Sequence, residues 1–445
     1  MRRADVTVAF TRALGKLTRM KYSAPWHALR ARLASGLAIA VLVLVLGRGG
    51  SPALELKGEL NLLTAGWVFD FATWEIDALV SKLGYGLLAP HRFMDDERQG
   101  RFVLDYLDDV AEARRLSDEI DRIYTDPEIA DPAAVSAPEQ RTFADLRASM
   151  ARRAPIAEAI LQSQVTSVLA GGGVDLAASV LPPVLGTFTP LPYVLVVSPR
   201  ERIESTYQQQ LVAGLTAAEQ DALEDTVTSA RPDISAYITG IGGLAAYPAM
   251  LLETSSIDWV TDVYAHEWVH HYLMFFPLGW NYMRNGETRT VNETTASLIG
   301  DWAGQEIMLR YYDPLLTRDK SLPDALVAEA PAEGEPDRPF DFRAEMHRTR
   351  VNVDRMLADG EVERAEWYME AQRRYFVAQG YRIRTLNQAY FAFHGAYAAS
   401  PGGAAGQDPI GPLVRRHWAV SSDAGVFLRH IAPVVTFEDL RVLVS

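Results

Sequence analysis

The run His266-Glu267-Trp268-Val269-His270-His271 leaves this chain the least conformational freedom. Two histidines four residues apart stand one turn from each other on the same face of an α-helix, so a helix lets both imidazoles converge on a single cation. The flanks predict that helix. Thr254, Ser255 and Ser256 offer N-cap oxygens, Asp258 falls in the first turn, and Pro277 closes the apolar run, framing about 20 helical residues. Glu267 then lies beside the two imidazoles.

A metal site that does chemistry needs three protein ligands and one open position. Val291-Asn292-Glu293-Thr294-Thr295-Ala296 opens a second helical pattern, and its Glu293 faces back at the histidines if the two helices pack antiparallel across the 277–290 loop. Glu287, read as part of that loop, is the competing donor. Glu293 is favoured because a helix holds a ligand more rigidly than a loop does. HExxH followed by Asn-Glu-x-x-Ala resembles the gluzincin branch of the zincin metallopeptidases, in which the Glu follows by about twenty residues. Here Glu293 lies 23 positions after His270, and the patternless loop from Pro277 to Tyr282 absorbs the excess.

The resemblance implies one Zn2+ per chain on His266, His270 and Glu293. Zinc brings the acidity of a bound water toward neutrality, and Glu267 takes its proton as the water attacks a carbonyl, then delivers it to the leaving nitrogen. That chemistry hydrolyses an amide or peptide bond. Ser297 stands where the family often has a second carboxylate, which leaves Asp262, one turn before His266, and Asp301 to orient a ligand.

Such sites usually carry a second electrophile for the developing oxyanion. Leu386 to Tyr397 is the densest source, with Tyr397, Tyr390 and His394 as candidates in that order. The stretch is loosely similar to bacterial predicted aminopeptidases with an HExxH site, although each aromatic serves equally well to pack a helix on the core. Ile241 to Leu252, rich in glycine and broken by Pro248, reads as an edge strand able to pair with an extended peptide, or as an ordinary hairpin. It offers no carboxylate for a substrate amine at Leu244, Ala245 or Ala246.

The first 32 residues hold eight Lys or Arg against one acid, Asp5, and residues 33–47 are uncharged and apolar. A basic flank before an apolar helix predicts a cytoplasmic tail (1–32), a single transmembrane anchor (33–47) favoured over a cleaved signal, and an extracytoplasmic remainder. The lipid bilayer is thus an expected partner, besides a peptide or protein substrate. The whole chain has net charge −14, and the part beyond the tail is more acidic still, which argues against nucleic acid. With no cysteine there is no disulfide and no thiolate metal site, so the fold must rest on its core.

The expected architecture is α+β and mostly α: a zincin-like unit (active-site helix, small mixed sheet with an edge strand) embedded in helical bundle domains, with one N-terminal transmembrane helix. After a linker (48–58), a helical domain covers 59–170, with apolar stripes Val103, Leu107, Val110 and Leu116, Ile120, Ile123. The catalytic unit covers 171–312, with a strand from Tyr193 to Val197. An acidic, Pro-rich loop follows at 313–340. A C-terminal helical domain covers 341–445 and includes a hairpin turning at Asp359-Gly360. Two other readings remain open on sequence alone: a non-catalytic envelope protein binding a partner on the same scaffold, and a zinc amidase acting on a non-peptide or cell-wall amide.

Overall fold

Helical periodicity dominates the sequence, and in a computed structural model it becomes a mostly helical α+β fold with small sheets. The structure describes residues 54–319 and 340–444, except 89, 126–127, 177–178, 283, 285 and 400–402. The basic tail, the apolar run 33–47 and most of the Pro-rich loop lie outside the described residues. No helix among the described residues is long and apolar enough to cross a membrane.

Two long helices, α1 (Asp96–Thr125) and α2 (Ala137–Gly171), pack together: Val103, Leu107 and Val110 of the first expected stripe share a core with Ile160, Leu161 and Val165 of α2, while in the second stripe Leu116 is buried and Ile120 and Ile123 are half-buried. Helix precedes them earlier than expected. Leu54–Thr64 is helical where a linker to 58 was predicted, because Leu60 there buries itself in a core of strand residues.

The strands follow. A two-residue ladder pairs β1 (Asp175–Leu176) with β2 (Ser179–Val180). An antiparallel sheet runs β5 (Tyr207–Leu211), β4 (Tyr193–Pro199), β6 (Ile234–Gly240), with Leu195 opposite Ile238. Helix α3 (Ala217–Ala230), closed by a reciprocal capping box of Thr216 and Glu219, leans on β6. A second, mixed sheet runs β3 (Gly186–Phe188), β8 (Ala249–Leu251), β7 (Gly243–Leu244), with β3 parallel to β8 and β7 antiparallel. The segment 241–252 is therefore a hairpin of two short strands, with β7 on the sheet edge. Pro248, which has no backbone N–H to donate, falls in the turn between them.

Against these sheets lies α4 (Ile257–Leu273), paired along its length with α5 (Gly286–Ile307). Helical structure then runs on through a π-helical turn, Met308–Tyr312, into Asp313–Asp319, so the start of the segment expected to be loop is helical. The expected hairpin forms as α6 (Phe342–Ala358) and α7 (Val362–Ala378), with Gly360 taking the positive φ of 76° that its turn requires. A short helix, α8 (Gln388–His394), lies on β4 and β6. Its cap Asn387 accepts from Tyr390 N–H at 2.9 Å and donates to Ala236 O at 2.7 Å. Three further helices, 410–420, 424–431 and 437–444, close the chain, and all described residues fall within one compact unit.

The α4–α5 pair is antiparallel: His270 meets Asn292, while Asp262, two turns earlier, meets Gly300 and Gly304. Those glycines set the separation. A Cβ on Gly300 would come within 2.2 Å of Asp262 Oδ1, 3.0 Å of the Asp262 carbonyl and 3.2 Å of His266 Cβ. The side chain could swing away, but the backbone cannot. Gly300→Val is expected to wedge the helices apart at a cost of about 1–3 kcal/mol, more than the roughly 0.5 kcal/mol returned by losing a helix glycine. Thermal unfolding should show the drop; an unchanged melting temperature would mean the pair tolerates a wider spacing.

Candidate metal centre

The rotation of α4 is fixed by what it buries. Ser256 caps it by accepting Trp259 N–H at 3.3 Å, and Val260, Tyr264, Trp268 and Leu273 go into the core. Trp268 donates its indole N–H to Pro182 O at 2.8 Å and Tyr264 its hydroxyl to Gly186 O at 3.1 Å, which pins the helix to the β3 side. His266 and His270 are thereby turned toward α5.

Glu293 meets them there. His266 Nε2, His270 Nε2 and Glu293 Oε2 form a triangle with edges of 3.2, 3.5 and 3.6 Å. A tetrahedral site with bonds of about 2.0–2.1 Å has donor-to-donor edges of about 3.3–3.4 Å, so the three atoms already have the separations of ligands around one ion. Among the described residues this is the group of His and acidic side chains that could hold a metal. Glu287, the competing donor, sits on the first turn of α5 and accepts from Phe437 N–H at 3.4 Å, apart from the triad.

Hydrogen bonding around the triad points the same way. His270 Nδ1 faces Asn292 Oδ1 at 2.7 Å, so Nδ1 carries the proton in the neutral ring and Nε2 is left with a free lone pair. Tyr282 donates its hydroxyl to Glu293 Oε1. The other oxygen, Oε2, is buried without a hydrogen-bond partner and points at both imidazoles. Burial opposes ionisation of Glu293, yet His270 and His266 hold it well below the usual carboxylate range; burial likewise works against a charge on His270, but Glu293 lifts it to about 9. A buried carboxylate facing two imidazoles calls for a positive charge, which a metal ion would supply. Asp262 and Asp301 flank His266 electrostatically; burial, then Asp301, pushes Asp262 up to about 6.

Glu267 is 5% exposed and fits against β7: a Cβ on Gly243 would come within 2.3 Å of its Oε1. Burial pushes its carboxyl up, opposed by His266 and His270. The neighbouring His271 plays a different part. It donates Nε2–H to Ala246 O at 2.6 Å, stacks edge-on against Tyr247, and burial drives it down to about 4, so it is a neutral strut holding the hairpin on α4.

The aromatic candidates separate. Tyr397 is 38% exposed, and its ring lies 6.3 Å from that of His266, nearly parallel; the crowding around its hydroxyl and the charge of Glu293 favour the protonated phenol. Tyr390 and His394 instead join Tyr237 on the β6 face: Tyr390 is buried in the core under α6 and α7, and His394 Nε2 faces Tyr237 OH at 3.4 Å. Burial and Arg289 hold His394 down at about 4. These two pack α8 on the sheet.

Sequence reasoning singled out neither Tyr282 nor Arg289. Tyr282 sits in the interhelical loop, where no periodicity could mark it. Arg289, one turn before Glu293, is 4% exposed, with its guanidinium over the rings of Tyr282 at 5.9 Å and Phe393 at 5.6 Å. The one available signal was an arginine in an otherwise Thr-, Val- and Ala-rich helix start. Comparison with protein-family models, with curated proteins and with solved structures finds no match to this chain.

Partners of the ligands usually contribute 10- to 100-fold to metal affinity. Asn292→Ala and Tyr282→Phe should each weaken metal binding by about that factor without unfolding the protein, as read by competition with a chromogenic chelator. Unchanged affinity in both would show that the triad is not positioned through them.

Proposed function

We propose that the protein is a zinc-dependent peptidase of gluzincin type. The observation that carries this reading is the triangle of His266, His270 and Glu293, with donor separations suited to one tetrahedral ion and Glu267 buried at its side. Two nitrogens and one oxygen, with no cysteine thiolate in the chain to compete, are the donor set of a catalytic zinc with an open position. Zinc bound there would act as a Lewis acid on water and on the substrate carbonyl.

The chain's own residues do the rest. Glu267, kept from solvent and made a stronger base by burial, takes a proton from the attacking water as the carboxylate and passes it to the leaving nitrogen. Tyr397, protonated and beside His266, donates a hydrogen bond to the carbonyl oxygen as it gains charge. Edge strand β7, whose Gly243 touches Glu267, offers backbone groups to an extended peptide and would lay a peptide bond across the carboxylate. The N-terminal sequence supports a single-pass anchor that holds this unit outside the cytoplasm.

Purified protein is expected to hold about one zinc per chain by elemental analysis, and Glu267→Gln should keep that zinc while peptide hydrolysis falls about 100- to 10,000-fold. Hydrolysis unchanged by this substitution would overturn the reading. Persistent binding of a partner with no hydrolysis in either form would favour a non-catalytic role, and release of amine from cell-wall amides but not from peptides would favour an amidase. Gly243→Ala tests the strand contact: a methyl group pushing the Glu267 carboxylate aside should lower hydrolysis about 100-fold with zinc content intact.

A further inference from the structure

Next to the first turn of α5, with Arg289 on its wall, lies a concavity. A cavity of about 620 Å³ opens between the loop before β5, the first turn of α5, α6 and the end of α8. Ile203, Phe391 and Ile410 give it apolar walls. Of its ionic groups, Arg202 pairs with Glu204 at 2.6 Å and Arg350 with Asp354 at 2.9 Å, while Glu287 and Asp408 accept from the backbone N–H groups of Phe437 and Ile410. Arg289 is different.

Arg289 is the one buried lysine or arginine among the described residues, and no carboxylate there lies within ion-pair distance of it. The groups that touch it are uncharged. Gln208, with its amide turned so that the oxygen faces the guanidinium, accepts from Nη1 at 2.5 Å and Nη2 at 2.8 Å; the Tyr282 phenol and the Phe393 ring flank it. Nε is buried with no partner at all. A cation so enclosed is costly unless an anion joins it. The charge of Glu293 reaches Arg289 only across Tyr282, and the same carboxylate faces His266 and His270.

We propose that Arg289 on the wall of this cavity binds a carboxylate of the substrate, specifically the C-terminal carboxylate of a peptide, so that the enzyme acts near C-terminal ends. The proposal rests on the peptidase reading above and supplies its substrate class. A guanidinium is a planar fork that matches a carboxylate in two parallel hydrogen bonds, and among cationic side chains it is the one suited to a partly apolar wall. Tyr282 joins Arg289 to Glu293, so a carboxylate seated here lies one side chain from the reacting centre. The absence of a carboxylate on Leu244 to Ala246 agrees with recognition of the far end of the peptide rather than its amine.

The test uses the full chain, zinc-loaded and carrying Glu267→Gln so that binding is read without turnover. Three N-acetylated tetrapeptides of otherwise equal sequence are titrated calorimetrically: one with a free C-terminal carboxylate, one amidated, and one amidated with an internal glutamate. The free acid should bind at least about tenfold more tightly than either amide. Arg289→Gln should abolish that preference and Arg289→Lys should restore part of it, with circular dichroism and melting temperature confirming that each variant is folded. Equal binding of acid and simple amide, no binding of any peptide, or a preference that survives in folded Arg289→Gln would each overturn the proposal. Tight binding of the glutamate amide would overturn the assignment to a chain terminus. In each case zinc content and hydrolysis by the unsubstituted protein report separately on the peptidase reading. If Arg289→Gln does not fold, the acid-to-amide ratio on the parent decides alone.

Discussion

A single buried carboxylate organises this molecule. Glu293 is almost fully removed from water, and one of its oxygens has no hydrogen-bond donor while two imidazole nitrogens stand 3.5 and 3.6 Å away. An ionised carboxylate is tolerated in such a place only with compensating charge. Helix α4 brings the two imidazoles and α5 brings the carboxylate, so the compensation also ties the helices together. Their close approach depends on Gly300 and Gly304, where side chains would meet the Asp262 backbone.

Around this pair the rest of the fold is arranged in support. Trp268 and Tyr264 fasten α4 to the segment leading into β3 and to β3 itself, His271 fastens it to the hairpin, and Tyr282 and Asn292 hold the ligands from the loop and from α5. Each of these contacts is a directional hydrogen bond to a buried group, so a small rotation of α4 would break several at once. The imidazoles are thus held in place by core packing whether or not an ion is bound.

How much of this could be read from the sequence depends on how local the cause is. The pentad helix was legible because its cap at Ser256 and its apolar repeat are contained within the segment itself, and so were the turn at Gly360 and the strand from Tyr193. Glu293 was legible because it opens a second periodic stretch. Tyr282 was not, since its partner is reached only when the loop folds back. Arg289 and Gly243 were not either: the first matters because Phe393 and Gln208 arrive from distant segments, the second because Glu267 comes down on it from another element. Tyr390 and His394 were legible as aromatics but not as to their place, because the helical face they occupy is chosen by Ser235 and Ala236, more than 150 residues earlier.

The strut formed by His271 has a mechanical corollary. It is the residue next to a proposed ligand, and its bond to Ala246 makes the hairpin and α4 move as one body. Anything that tugs the outer strand sideways would therefore rotate the two imidazoles as well, so the spacing of the His266 and His270 nitrogens and the lie of the outer strand are two readings of one coordinate.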